Sequence, residues 1–421
     1  MSKQLDNGLT VIAQRVPGSS FVGTAVAVKH GSRYEDAETN GGAHFLEHML
    51  FKGTKKRTYK DINDGFKDIG GVYNAYTSME ETVFHVETLK EHADDGLDIL
   101  ADMTQNSTID GKEFKTEKKV ILEEVSMYLD DDPGLMYDTL IKKMYGGQSL
   151  ARPVAGTLTS VSGLTRDDVK KIYDEKYTPQ NMVVAMAGDF DPNEMYSKIE
   201  NAFKDFKKGS GKKPSAHRKF GNVARTKGPN GETYFVKKPD STQCQVIIGY
   251  KTKGDLHEDS PKLTVLNEIL SARLFDEVRE KRGMAYGAGV TEWTGSNYGF
   301  IGGYAATRPE NVSTVKDVML EEFEKAKENI TLEELKRAKA VAKFAAAKKN
   351  ESPMEIAQQL AVYKTVLGDE TLARTQFDRI NSVTLSDVKA AAKTYFKPDK
   401  YCMVVVGPSC NVKSYTPVKV K

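Results

Sequence analysis

The sequence predicts an α+β protein built of two homologous halves, and three observations carry that reading. The chain has 421 residues, and at roughly 150 residues per domain that length means two or three domains. Segments near its middle recur near its end. Strand-length apolar runs and helical stretches are mixed rather than strictly alternating, which favours α+β over a doubly wound sheet.

The repeat is read from the ends of the halves. Asp168-Val169-Lys170 recurs as Asp387-Val388-Lys389, Pro179 as Pro398 and Gly188 as Gly407, all at a shift of 219. Both copies read as a helix, a proline-bearing turn and an apolar strand. The starts agree too: DNGLTVIAQRVP (6–17) resembles PNGETYFVKKPD (229–240), each an Asn-Gly turn before a short strand. A period this long is not a solenoid repeat. It defines a first half at 1–205 and a second at 229–421, joined by a Lys-, Gly-, Ser- and Pro-rich linker at 206–228.

Within the first half the elements follow in order. Strands come first, FVGTAVAVKHGSR (21–33) among them, and a helix starts after residue 40. Strands near 72–90 follow a Gly-Gly turn, helices run through about 90–180, and Met182–Gly188 is a closing strand.

Composition narrows the function. Sixty-one basic residues face 59 acidic ones, a net charge of +2. That lacks the positive excess of a nucleic-acid binder, and a single tryptophan, Trp293, offers no stacking platform. Three cysteines, Cys244, Cys402 and Cys410, make no disulfide scaffold and suit a reducing compartment. Residues 1–20 hold no signal-length apolar run, and no stretch of about 18 apolar residues occurs. The expected location is cytoplasmic, with no membrane or nucleic-acid partner. GSGKKP (209–214) lacks the P-loop spacing, and G-x-S-x-G does not occur.

The chemistry concentrates in HFLEHML, residues 44–50. On a helix His44 and His48 lie about 40° apart on one face, one turn along, with Glu47 beside them. Two imidazoles so placed take one metal ion, and Glu47 reaches a water bound to it. The same heptapeptide also suits a helix with two polar histidines on a wet face. Phe45, Leu46, Met49 and Leu50 bury the helix, and Thr39-Asn40-Gly41-Gly42 offers its cap. Downstream, EFKTEKKVILEEVSMYL (113–129) is helical and acid-rich. Glu117 and Glu124, seven apart, share a face there, and Glu123 points about 100° away from Glu124.

With H-x-x-E-H and this acidic helix, the chain resembles the inverzincin zinc metallopeptidases of the pitrilysin group, closest to the mitochondrial-processing-peptidase-like branch. The resemblance covers nearly the whole chain. It implies two similar α+β halves, each a mixed sheet covered by helices, and one Zn²⁺ per chain on His44, His48 and Glu124. It makes Glu47 the general base and Glu117 a support for the ligands. In the second half it assigns Arg279 and Tyr286, with Arg282 the weaker neighbour, to polarising the substrate carbonyl. Asn74 and Ala75, in GGVYNAYTSMEETVFHVE (70–87), match positions that pair with substrate backbone. The second-half helix TVLNEIL (264–270) carries Thr264, Asn267 and Glu268 where HFLEHML carries its metal set, so no second metal centre is expected.

The expectation is therefore a zinc endopeptidase that cleaves unfolded peptides in a closing two-half chamber and works as a homodimer. The rival is a non-catalytic peptide-binding or structural subunit of such a complex.

Overall fold

The computed structural model describes residues 2–206 and 230–419. The first half contains β1 (Ser2–Gln4), β2 (Thr10–Arg15), β3 (Phe21–Val28), α1 (Gly42–Leu50), α2 (Tyr59–Asp68), β4 (Val72–Thr77) and β5 (Thr82–Leu89). It continues with α3 (Ala93–Asn106), α4 (Gly111–Asp130), α5 (Asp132–Met144), α6 (Leu158–Gly163), α7 (Arg166–Lys176), β6 (Met182–Gly188) and α8 (Pro192–Phe203). The second half contains β7 (Glu232–Lys237), β8 (Cys244–Thr252), α9 (Ser260–Leu274), β9 (Ala285–Thr294), β10 (Gly299–Thr307) and α10 (Val312–Lys325). Then come α11 (Leu332–Lys348), α12 (Pro353–Val362), α13 (Thr371–Ser382), α14 (Leu385–Tyr395), β11 (Tyr401–Gly407) and β12 (Thr416–Val418).

The internal repeat is visible in the capping chemistry. Thr165 and Asp168 close a capping box at the start of α7. Thr384 and Asp387, each 219 residues later, close the same box at the start of α14. In each box the threonine hydroxyl accepts from the N3 amide while the aspartate takes the cap amide, so two orphan donors are satisfied. The strands that follow, β6 and β11, are buried at every residue.

Both sheets are six-stranded, in the orders β1-β2-β6-β3-β5-β4 and β12-β7-β11-β8-β10-β9. In the first, β2 and β6 run parallel and the other pairs antiparallel. In the second, β7 is parallel to both β11 and β12 and the rest is antiparallel. These are the mixed, helix-covered sheets expected. Their edges at β4 and β9 are equivalent.

The compact units are not the two sequence halves, 1–205 and 229–421. Among the described residues one unit holds 2–125, 152–206 and 347–374, and the other holds 126–151, 230–346 and 375–419. Each half lends one helix to the other unit: α5 belongs with the second sheet and α12 with the first. The expected linker at 206–228 lies outside the described residues apart from Phe206.

The physical reason is that a mixed sheet has two faces to cover. One face of the first sheet packs on α1, α3, α4, α7 and α8 through Phe45, Leu97, Ile121, Val169 and Ile199. Its other face, lined by Ile12, Ala25, Ala27, Val83 and Ala185, is sealed by Ile356, Ala357, Leu360 and Ala361 of α12. The backbones approach so closely there that a Cβ on Gly23 would lie 2.5 Å from the Met354 backbone. Only glycine fits that position in β3. In the second unit α5 buries Leu135, Met136, Leu140 and Met144. Just beyond it, the Tyr145 hydroxyl donates to the Gly299 carbonyl at 2.5 Å and accepts from the Gly299 amide at 3.1 Å. Among the described residues no helix is long and apolar enough to cross a membrane.

Candidate metal centre

The centre is built where α1 meets α4. Phe45, Leu46, Met49 and Leu50 are fully buried on α1. Phe45 stacks on Phe114 of α4, with ring centroids 4.5 Å apart and planes 15° off parallel. Phe114, Ile121 and Val125 bury the matching stripe of α4, and the interleaved Glu117 and Glu124 then face α1.

The start of α1 falls in the expected segment, but no side chain of Thr39–Gly42 caps it. Its cap residue is Gly41 at φ 93°. That left-handed conformation favours glycine. A Cβ at Gly41 would also lie 2.9 Å from the Ala155 carbonyl oxygen. The cap comes instead from Glu35, whose Oε1 accepts from the Ala43 amide at 2.7 Å and Oε2 from the Gly41 amide at 2.9 Å. A buried carboxylate thus takes the place a capping side chain would fill, at the positive end of the helix dipole. Burial raises its pKa, against the opposing bonds from Ala43, Gly41 and Asn40.

Three side chains converge. His44 Nε2 lies 3.6 Å from Glu124 Oε1, and His48 Nε2 lies 3.4 Å from Glu124 Oε2. One donor atom from each of His44, His48 and Glu124 falls within 4.8 Å of the others. These separations exceed a good N–H···O hydrogen bond. The two distances to Glu124 match the spacing of about 3.3–3.6 Å between ligands that sit 2.0–2.2 Å from a tetrahedral ion. Two imidazole nitrogens and a carboxylate oxygen are a donor set that zinc takes. The residues present therefore fit the metal.

Glu117 prepares His48 for that role. Its Oε1 lies 2.8 Å from His48 Nδ1, which leaves Nε2 facing Glu124. Its Oε2 takes Lys52 Nζ at 2.6 Å. Burial alone would raise the Glu117 pKa, but the bonds from His48 and Lys52 hold it below its ordinary value. Burial takes His44 down to about 4, helped by the neighbouring His48. Burial would lower His48 as well, but Glu117 and Glu124 carry it up to about 9. The buried Nδ1 of His44 has no hydrogen-bond partner among the described residues.

Glu47 sits beside the triad on α1, buried, and its pKa is raised by that burial. Thr77, the last residue of β4, donates from Oγ1 to Glu47 Oε2 at 2.7 Å. Asn74 and Ala75 lie on β4 too, at the sheet edge. The Ala75 amide is bonded at 2.9 Å to Asn74 Oδ1.

Arg279 and Tyr286 belong to the other unit. Arg279 lies in a π-helical turn, Phe275–Glu280, that continues α9, a distortion frequent at functional sites. Its guanidinium stacks 4.7 Å from the Phe275 ring and 4.8 Å from the Tyr286 ring. Tyr286 is 84% exposed. Arg282 is held instead by Glu277, at 2.7 Å to its carbonyl oxygen.

Sequence reasoning missed Glu35, Lys52 and Thr77. Lys52 was signalled by its place four residues after His48. Glu35 and Thr77 carried no local signal, because folding alone brings them to α1.

Residues 10–158 match the insulinase (peptidase family M16) family, and residues 163–341 match the peptidase M16 inactive domain. An uncharacterized zinc protease of Bacillus subtilis is 31% identical over 415 residues, 97% of this chain and 98% of that one. One from Rickettsia felis is 32% identical over 367 residues, 86% of this chain and 84% of that one. The crystal structure of a protease from Helicobacter pylori superposes with a TM-score of 0.90 at 25% identity, covering 97% of this chain and 99% of that one. The peptidase M16 inactive domain from Pseudomonas fluorescens shares the fold, with a TM-score of 0.87 at 20% identity over 100% of this chain and 99% of that one. The chain belongs to peptidase family M16.

Proposed function

We propose that this chain is a zinc-dependent endopeptidase that hydrolyses unfolded peptides. The observation that carries the reading is the convergence of His44, His48 and Glu124 beside the buried carboxylate of Glu47. His44, His48 and Glu124 would hold one zinc ion per chain. When bound, zinc acts as a Lewis acid and lowers the pKa of water towards about 7.

The remaining steps fall to the chain's own residues. Glu47 takes a proton from the attacking water and returns one to the leaving amine. Glu117 fixes the ring of His48 through Nδ1. An extended peptide would pair along the outer edge of β4 at Asn74 and Ala75, displacing the Asn74 side chain from the Ala75 amide, and such main-chain pairing places little demand on peptide sequence. Arg279 and Tyr286 enter on the resemblance, Tyr286 as a donor to the developing oxyanion and Arg279 as its support. The same resemblance supports the mitochondrial-processing-peptidase-like branch and a homodimer, while the cytoplasmic location rests on the lack of a long apolar run in the sequence.

A second reading, a peptide-binding subunit without turnover, is favoured by the match of residues 163–341 to an inactive domain. Cleavage of an unstructured peptide of about 15–30 residues separates the two, since that length spans an edge strand with room to spare. Turnover lost with a chelator and restored by zinc supports the peptidase. Binding of the same peptide without turnover supports the subunit.

A further inference from the structure

We infer that Thr77 is a positioning residue: its hydroxyl holds the carboxylate of Glu47 in the orientation from which that carboxylate takes a proton. The inference deepens the peptidase reading and rests on Glu47 as the base.

Among the described residues, the Thr77 hydroxyl is the hydrogen-bond donor to the Glu47 side chain, at 2.7 Å to Oε2. The direction of that bond follows from its neighbour. Thr82 is the register partner of Thr77 across β4 and β5, and it is fully buried. Its hydroxyl donates to the His30 carbonyl oxygen at 2.9 Å. The two threonine oxygens lie 3.3 Å apart. A hydroxyl has one proton, and that of Thr82 is committed to His30, so Thr82 does not donate to Thr77. The Thr77 proton goes to Glu47, because the carboxylate oxygen at 2.7 Å is a nearer and stronger acceptor than the Thr82 hydroxyl at 3.3 Å.

Thr77 is β-branched and its side chain is stiff about the first torsion. The carboxylate is therefore held at Oε2 by a rigid donor, and Oε1 is left to receive a proton. Thr77 also ends β4, so the base is tied to the edge strand carrying Asn74 and Ala75.

The test compares wild type, Thr77→Val and Thr77→Ser, each loaded with zinc, on one unstructured peptide. Bound zinc and the thermal midpoint stay at wild-type values in both variants. Thr77→Val lowers kcat about 10–100-fold, the range seen when an outer partner of a site is removed, with KM nearly unchanged. Thr77→Ser restores most of kcat, because it restores the hydroxyl. A Thr77→Val variant with wild-type kcat overturns the inference. So does one that loses zinc, one that changes KM alone, or a serine variant no better than valine. A zinc-loaded wild type that cleaves nothing overturns the peptidase reading itself, and a cleaving wild type matched by Thr77→Val overturns the role of Thr77 alone.

Discussion

The Glu117 carboxylate meets His48 at Nδ1, 2.8 Å away, on the opposite side of the ring from Glu124. That pairing fixes which nitrogen of His48 is available to a metal. Replacing Glu117 with Ala frees the ring and strands the Lys52 ammonium. We expect zinc affinity to fall about 10–100-fold. Competition against a chromophoric chelator measures it, and unchanged affinity would assign Glu117 to packing alone.

Glu47→Gln keeps the size of the side chain and its acceptor oxygen but removes the base. Turnover is expected to fall about 100- to 10,000-fold while zinc stays bound. The check is metal content and peptide cleavage on the same sample, and full activity with zinc present would refute the assignment.

Glu35→Ala leaves the amides of Gly41 and Ala43 buried without acceptors. Each unsatisfied buried group costs about 1–3 kcal/mol. The thermal midpoint should drop, and zinc affinity should fall with it because the start of α1 carries His44. An unchanged midpoint would mean that water replaces the carboxylate.

Arg57 binds two acids, Asp102 at 2.7 Å and Asp98 at 2.5 Å. Burial would raise Asp102, but bonds from Thr54, Arg57 and Asn106 outweigh it, and its pKa lies below the ordinary 3.8. A depressed carboxylate stabilises the fold above its unfolded pKa, and the benefit is lost as pH falls through the folded one. Wild type should therefore exceed Asp102→Asn in urea midpoint by a constant margin above about pH 5, a margin that shrinks as pH falls below 3.8. A margin independent of pH would show that Asp102 acts without its charge.

Leu360 lies in the second half of the sequence yet packs on the first sheet. Leu360→Ala should cost about 2–5 kcal/mol. Proteolysis mapped by mass spectrometry should show the first unit opening, and opening confined to the second unit would contradict the packing of α12.

Much of the centre was legible because it obeys helical spacing. His44, Glu47 and His48 lie on one helix whose apolar residues declare its buried face, and the acids of α4 repeat at seven. Glu124 needed the resemblance as well, since spacing alone does not bring two distant helices together. The cap of α1 falls at Gly41, inside the expected Thr39–Gly42 segment, but only the fold shows Gly41 left-handed and Glu35 turned back on it. Thr77 was invisible for a related reason: a threonine in a strand is ordinary until the strand ends beside a carboxylate. The repeat revealed two sheets but not which helix covers which, because a shift in numbering carries no information about faces.

The exchanged helices α5 and α12 set a condition on dividing this chain. A cut between residues 206 and 230 would release one piece bearing α5 without the sheet it shields, and another bearing α12 likewise. Each piece alone would expose a bare apolar sheet face and an unpartnered helix, the makings of aggregation. Mixed together, the pieces should reconstitute each other, so the protein is separable into genes but not into self-sufficient products.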